Sequence, residues 1–155
     1  MVLTMRVKGY KIKAEADLAG ANLAGANFWH QGFTDTRPRG ASLWRANLSD
    51  ANLSNANLYR SELSGANLRG ANLAGANLIE VGLVLADLTF ADLEGASLNG
   101  ANMKGANLTN ANLTAAHLDG ANLTGANLTN GNLTRTDFGR AILTGATMPD
   151  GTVHD

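Results

Sequence analysis

The stretch GANLTGANLTNGNL, residues 120–133, decides the fold, because it repeats a five-residue unit with one large apolar residue in each unit. Counting every fifth residue from Leu18 to Met148 gives about 27 central positions, and only Pro38 among them is not a large apolar residue. A small residue, usually Ala, lies two positions before each central residue, and Asn or Asp usually lies between them. The chain therefore reads as one repeat array rather than as a conventional globular domain.

A period of five suits neither an α-helix nor a flat strand. A helix advances 100° per residue, so residues five apart would spread around its whole surface. A flat strand would alternate its faces from one unit to the next. Both structures would expose about half of the Leu residues. The period is satisfied if each unit forms one side of a coil and turns a corner at its end, with Leu and the preceding Ala pointing inward.

The same segments carry a resemblance to a known family. AGANLAGAN (19–27), ANLSDANLSNANL (46–58) and GANLTGANLTNGNL resemble the pentapeptide-repeat proteins, whose consensus is A-(D/N)-L-x-x. The resemblance implies an all-β fold, a right-handed quadrilateral β-helix with four repeats per coil and nearly seven coils. Residues 20 apart would then lie above one another, so that Leu23 would stack beneath Leu43.

Three segments follow from the repeat. Residues 1–15 are predicted to form an N-terminal cap strand, residues 16–148 the β-helix, and residues 149–155 a C-terminal turn and tail. Within the array, residues 28–42 depart from the consensus and form either degenerate repeats or a surface loop. We favour a distorted coil with Phe33 inward and a bulge near Pro38, which cannot donate a backbone hydrogen bond to a neighbouring strand.

Composition and motifs point away from catalysis. The chain has no Cys, three His and a net charge of -1, so thiol chemistry is excluded and no charge-driven attraction to nucleic acid is expected. Asp92 and Glu94 share one wall, but a convex wall offers no pocket to desolvate a pair of carboxylates. We expect no enzyme activity, no cofactor and no metal.

The stretch LIEVGLVLADLTFADL, residues 78–93, keeps the repeat but changes its surface. Its four Leu residues at 78, 83, 88 and 93 form one complete inward layer in the coil arrangement. Apolar side chains also occupy outward positions, where Gly, Thr or Ser is usual. Several such residues in one coil indicate either a contact surface or an incidental apolar patch, since single exposed apolar side chains are normal. The candidate contact patch consists of Trp44, Tyr59, Ile79, Val84, Leu85 and Phe90.

Three functions without catalysis remain open from the sequence. The first is a structural or protein-interaction module that binds another protein or itself, without direct binding to nucleic acid. The second is mimicry of B-form DNA, by which some members of the resembling family protect DNA gyrase; the arginines on this surface interrupt the acidity that mimicry needs. The third is an ice or ordered-water surface built from stacked Thr residues, although Thr is also simply a good strand former.

The sequence gives no sign of a membrane segment. No apolar run approaches the roughly 18 residues that a spanning helix needs, and the N-terminus has no continuous apolar stretch typical of a secretory signal. We therefore expect a cytoplasmic protein, although the sequence leaves open an export signal that has been removed.

Overall fold

The computed structural model describes residues 5–7, 10–12, 20–23 and 42–155. Two short strands lie near the N-terminus, β1 (Met5–Val7) and β2 (Tyr10–Ile12). They pair antiparallel, with Met5 opposite Ile12. Where we expected a single cap strand, the backbone thus forms two paired strands. That residues 1–15 cap the array remains a prediction.

Residues 42–148 form a β-helix solenoid in which single residues, rather than long strands, pair between coils. Parallel bridges join each such residue to the equivalent residue four repeats later, such as Glu62 to Gly82 and Asp92 to Asn112. Each coil in this part of the chain therefore contains four five-residue repeats. The bridged residues form four ladders along the solenoid. We call each ladder, together with the residues that flank it, a face, and name it after the ladder residue in the coil of residues 77–96: the Asn77, Gly82, Asp87 and Asp92 faces.

Backbone hydrogen bonds explain why the ladders hold. From Leu43 to Leu128, the amide of each central residue donates to a carbonyl of the coil above, as from Leu98 to the His117 carbonyl at 2.7 Å. The amide before it donates to the coil below, as from Asn102 to Val81 at 2.9 Å. A third bond joins the corners of neighbouring coils, where the Gly100 amide donates to the backbone carbonyl of Asp119 at 2.9 Å. These repeated bonds satisfy backbone groups that would otherwise be buried without a partner.

Every repeat from Leu43 to Leu133 turns its corner in the same way, whereas in the repeat of Phe138 the positive φ falls one residue earlier, at Gly139. The residue two after the central Leu has a positive φ, for example 53° at Arg45 and 66° at Gly70. The following amide then donates back to the Leu carbonyl, as from Ala46 to Leu43 at 2.9 Å. A positive φ at the third residue of a hydrogen-bonded turn is typical of a type II β-turn, in which Gly or Asn is favoured. The corner is thus a strained position for most other residues.

The core is the interior of the solenoid. The layer Leu78, Leu83, Leu88 and Leu93 is fully buried, as predicted. Val81 stands at an Ala position and is also fully buried. Its turn hydrogen bond to Leu78 is 3.2 Å, the longest such bond in the described turns, so the larger side chain displaces the backbone only slightly.

Stacked Asn side chains add a second network. In repeats such as that of Asn112, the side-chain oxygen accepts a hydrogen bond from the amide two residues on, at 3.1 Å from Thr114. The Asn112 amide nitrogen donates to Asp92 in the coil below at 3.0 Å. The same coil-to-coil bond joins Asn77 to Asn57 at 3.0 Å. Stacked amides thus pass hydrogen bonds from coil to coil at these positions.

The predicted alignment of the first coil is wrong. Asn22 bridges Asn47, which lies five repeats later rather than four. The amide of Leu23 donates to the backbone carbonyl of Asn47. In the other coils this carbonyl belongs to the residue just before the central residue stacked above, so Leu23 lies beneath Leu48 and not beneath Leu43. The coil that begins at Asn22 is consequently longer than the others by the length of one repeat. Phe33, Pro38 and nearly all of segment 28–42 lie outside the described residues, so its form as a loop or as degenerate repeats stays a prediction.

The C-terminal turn folds back onto the last coil. After Pro149, Asp150 and Gly151, the chain reverses and Val153 pairs antiparallel with Thr147. The amide of His154 donates to Ala146 at 2.8 Å, and that of Gly145 donates to His154 at 2.7 Å. This covers one side of the last coil. Four apolar residues of that coil, Leu133, Phe138, Leu143 and Met148, are only partly buried.

Candidate contact surface

The candidate contact patch occupies three successive corners of one coil and two positions in the coils below. Leu85, Phe90 and Trp44 are its most exposed members, at 71%, 54% and 45% of their surface. Tyr59, Ile79 and Val84 are half-buried.

The ladders determine which members of the patch lie together. Ile79 lies one coil above Tyr59, because Asn77 bridges Asn57. Val84 lies two coils above Trp44, with Ser64 between them; Ser64 Oγ accepts a hydrogen bond from the Val84 amide at 3.2 Å.

The Gly82 face runs between these two groups. It spans from the corner of Ile79 to the corner of Leu85, so five of the six patch residues border one face. Phe90 lies one face farther around the coil, at the far edge of the Asp87 face.

Leu85 and Phe90 stand in the left-handed region, with φ of 56° and 61°. Neither side chain is required by the fold, because Gly occupies the equivalent corner at many repeats, including Gly65, Gly70 and Gly105. The corner geometry therefore holds two large apolar side chains out toward solvent in a backbone conformation that disfavours them. The sequence alone did not reveal this strain, because the period does not show which outward residue turns the corner.

Arginines lie against the aromatic rings of the patch. The guanidinium of Arg45 is 4.4 Å from the centre of the Trp44 ring, and that of Arg69 is 5.0 Å from the Phe90 ring. Arg60 lies 4.9 Å from the Tyr59 ring and also bonds Glu80 at 2.6 Å. The hydrogen bond to Glu80 raises the pKa of Arg60. Such stacking holds the rings in place at the surface.

One carboxylate of the Gly82 face is left without an ion pair in the described part of the chain. Glu62 is exposed, and its Oε1 accepts a hydrogen bond from the Ser64 amide at 2.7 Å. Its carboxylate lies over Gly82, with Oε2 2.7 Å from the place where a Cβ of residue 82 would stand. Gly82 thus leaves room for the Glu62 side chain to lie flat on the face.

Asp92, one of the two carboxylates considered for catalysis, has structural partners. Asp92 accepts hydrogen bonds from the Glu94 amide at 3.1 Å and from Asn112 at 3.0 Å. Over the residues that the structure describes, no group of three His, Asp or Glu side chains is placed to hold a metal ion. The same residues include no helix long and apolar enough to cross a membrane.

The comparisons with known proteins agree with this geometry. The family Pentapeptide repeats matches residues 39–75, 66–105, 86–125 and 106–145, with 8 copies of its unit. The chain belongs to the pentapeptide-repeat family. Proteins of this family generally act as structural or interaction modules rather than as enzymes.

Two solved structures of pentapeptide-repeat proteins are similar to this chain in sequence and in fold. HetL, a pentapeptide repeat protein involved in heterocyst differentiation regulation from the cyanobacterium Nostoc sp. strain PCC 7120, is 33% identical, with a TM-score of 0.53. The match covers 87% of this chain and 75% of HetL. A trypsin-treated variant of QnrB1, a plasmid-mediated fluoroquinolone resistance protein, is 26% identical, with a TM-score of 0.60, over 86% of this chain and 68% of QnrB1. Among curated protein sequences, none matches this pentapeptide-repeat chain significantly.

Proposed function

We propose that this pentapeptide-repeat chain is a protein-interaction module without enzyme activity, and that it binds its partner through the candidate contact patch. The observation that supports this most directly is the placement of Leu85 and Phe90. Both side chains are exposed and both stand at corners with positive φ. A non-Gly residue in this conformation costs about 1–2 kcal/mol. Corners such as Asn55 and Ala115 share this conformation without an exposed apolar side chain, so it is the exposed apolar surface of Leu85 and Phe90 that marks them as contact residues.

The arginines add to the argument. Arg45 and Arg69 stack on Trp44 and Phe90, and aromatic residues and Arg are the residue types enriched at the centres of protein interfaces. The stacking also reduces the rotamer freedom that these side chains lose on binding. The patch is thus rich in residues that contribute strongly to binding energy.

The finer geometry of the module is part of the proposal. We propose a right-handed coil of quadrilateral cross-section, with residues 1–15 as a cap and 149–155 as the closing turn and tail. The four ladders, each linking positions four repeats apart, support four sides per coil. Because the first coil takes the length of a fifth repeat, the number of coils falls between six and seven rather than close to seven. A crystal structure that showed another handedness or cross-section would overturn this part.

The experiment for the proposed function separates binding from stability. The double variant Leu85→Gly with Phe90→Gly removes both side chains from the patch and relieves two strained corners, so it should unfold at a higher temperature and lose its partner. The matched control is Asn55→Gly with Ala115→Gly, which relieves two corners with φ of 54° and 55° at the edge of the Asp92 face. The unmodified chain, the patch variant and the control variant are each tagged and used to capture proteins from an extract of the source cell. Any captured protein is then purified and tested for direct binding to all three.

The outcomes differ clearly. The proposal expects the control variant to capture the same protein as the unmodified chain, while the patch variant does not. If the patch variant binds a purified partner as tightly as the unmodified chain does, the patch has no role in binding and the proposal is wrong.

DNA mimicry is the second candidate, and the similarity to QnrB1 is the observation in its favour. The charge of the described solenoid supports it only weakly, because Arg45, Arg60, Arg69, Lys104, Arg135 and Arg140 are distributed among its acidic residues. A supercoiling assay with DNA gyrase tests it. Inhibition of the enzyme, or its protection from a quinolone, would favour mimicry, and no effect at micromolar protein would remove it.

The Thr surface is less well supported as a function. The hydroxyl of Thr114 donates to Asn112 at 2.6 Å, and that of Thr129 donates to Asn127 at 2.6 Å. The hydroxyl protons in these repeats are therefore used within the repeat and are not directed toward a water lattice. A cytoplasmic location stays our proposal from the sequence, and cell fractionation would test it.

A further inference from the structure

The Gly82 face has one bulky half and one half with small side chains. Two coils below Gly82 lie Trp44 and Arg45, and two coils above it the equivalent positions hold Thr124 and Gly125. A Cβ added at Gly125 would meet no described atom within 4 Å. The surface of the face is thus raised in the N-terminal coils of the solenoid and lower in the C-terminal coils.

The coils one step from Gly82 show the same difference in size. Tyr59 and Arg60 lie at the edge of the face one coil below Ile79, and Asn99 and Gly100 lie one coil above it. Consider a second copy packed against this face about a two-fold axis that runs parallel to the backbone at Gly82. The two solenoids would then run in opposite directions. Each coil above Gly82 in one copy would face the coil at the same distance below Gly82 in the other copy. Bulky positions would then meet small ones at both ends of the face, as an isologous contact requires.

The charges on the face follow the same symmetry. Glu62 lies one coil below Gly82, and Lys104 lies one coil above it. Both are exposed, and neither forms an ion pair with any residue in the described ranges. Under the two-fold axis, the coil of Glu62 faces the coil of Lys104 in the other copy. The two positions are offset by two residues along the strand, about 7 Å, which two long side chains can span.

The centre of the face would meet itself. Val84 and Leu85 lie at the level of the axis, so their apolar side chains would face those of the other copy. Gly82 has no side chain there and allows the two backbones to approach. Glu80 would also face its own copy, but it is already paired with Arg60 at 2.6 Å, which offsets the like charge.

We propose that the five members of the candidate contact patch that border the Gly82 face bind a second copy of this chain, packed antiparallel across that face about a two-fold axis at the level of Gly82. This rests on the proposed function, since it identifies what the patch binds. One face of a solenoid this narrow buries less area than a standard interface, so the dimer is expected to dissociate in the micromolar range. Ion pairs at its edge make it weaker at high salt.

Sedimentation velocity over a range of protein concentrations tests this proposal. The unmodified chain should shift from monomer to dimer as concentration rises. Glu62→Lys and Lys104→Glu each place like charges opposite one another, and each should weaken the dimer by about tenfold or more. The double variant, which exchanges the two charges, should restore the dimer because it restores both ion pairs with the partners reversed.

Two further variants make the result specific. Glu94→Lys changes an exposed acid that stands at the same repeat position as Lys104 but on another face, and it should leave the dimer unchanged. Val84→Asp with Leu85→Asp should abolish the dimer while the far-ultraviolet circular dichroism spectrum stays that of a folded β-helix. Each variant is checked by thermal unfolding.

The possible results distinguish this proposal from the proposed function. An unmodified chain that stays monomeric at every concentration overturns the second copy as partner, and the patch can still bind another protein. A charge-exchanged double variant that stays monomeric while the unmodified chain dimerises overturns the antiparallel arrangement. If the chain dimerises and Val84→Asp with Leu85→Asp dimerises equally well, the two-fold contact across the Gly82 face is wrong, whereas the role of the patch in binding another protein is decided by the capture experiment.

Discussion

The side chain of Leu85 lies over Gly105, the corner residue of the next coil. Its Cδ2 is 2.9 Å from the place where a Cβ of residue 105 would stand. The same relationship joins Arg45 to Gly65, where the Arg45 Cγ is 3.1 Å from such a position. Large corner residues therefore lean toward the next coil, and a Gly at the corner above them leaves the room that they fill.

This relationship predicts that Gly105→Ala destabilises the protein slightly more than Gly125→Ala, because the exposed Leu85 side chain must turn aside. Both residues have positive φ, 64° and 66°, so both substitutions add backbone strain of about 1 kcal/mol. Only the new methyl group at residue 105 would also meet Leu85. Chemical denaturation of both variants measures the difference in the free energy of unfolding. Leu85→Gly in the Gly105→Ala background should remove the excess; an excess that persists would show that Leu85 is not its cause.

At Ser61, by contrast, we expect a substitution to stabilise the protein. The Ser61 hydroxyl is buried at a position where Ala is usual, and it has no hydrogen-bond partner in the described part of the chain. A buried polar group without a partner costs about 1–3 kcal/mol. Ser61→Ala should therefore raise the free energy of unfolding by about 1 kcal/mol. Denaturation by guanidinium measures it, and a decrease in stability would show that the hydroxyl has a partner such as a bound water.

The sequence predicted the interior of the solenoid well and its first coil poorly, for one physical reason. Inward positions are set by the five-residue period, so Leu78 and Leu83 could be placed from the period alone. An insertion of one whole repeat leaves that period unchanged. The extra length before Asn47 was therefore invisible to counting, although it moves Leu23 from beneath Leu43 to beneath Leu48.

The contact surface could be predicted only in part. Exposed apolar residues such as Leu85 and Phe90 stand out in the sequence because they replace small or polar ones. Their strain does not, because it depends on which residue of the repeat adopts positive φ. The placement of Glu62 over Gly82 depends on the alignment of neighbouring coils, which the hydrogen bonds define.

Asp119 predicts a dependence of stability on pH. The Arg140 side chain donates hydrogen bonds to it at 2.7 and 3.1 Å and lowers the pKa of Asp119 from 3.8 to about 2. Because the pKa is lower in the folded state, the ion pair adds stability above pH 3.8, and this contribution is lost as the pH falls toward 2. Both side chains are solvent-exposed in part, so the effect is small.

Thermal unfolding of the Asp119→Asn variant between neutral and strongly acidic pH measures this contribution. The variant should be less stable than the unmodified chain at neutral pH, and the difference should shrink as the solution becomes acidic. A difference that stays constant with pH would show that the charge of Asp119 does not stabilise the fold.

Leu→Ala substitutions in the middle and in the last coil of the core should have different effects on stability. Leu98 is fully buried between coils, whereas Leu133 belongs to the last coil and is only partly buried. Leu98→Ala should lower the free energy of unfolding by about 3–5 kcal/mol, because the surrounding coils are held by backbone bonds and cannot collapse into the cavity. Leu133→Ala removes the same atoms from a site that water already reaches, so its effect should be at most about half as large. Chemical denaturation of the two variants tests this, and equal losses would show that the last coil is covered in solution.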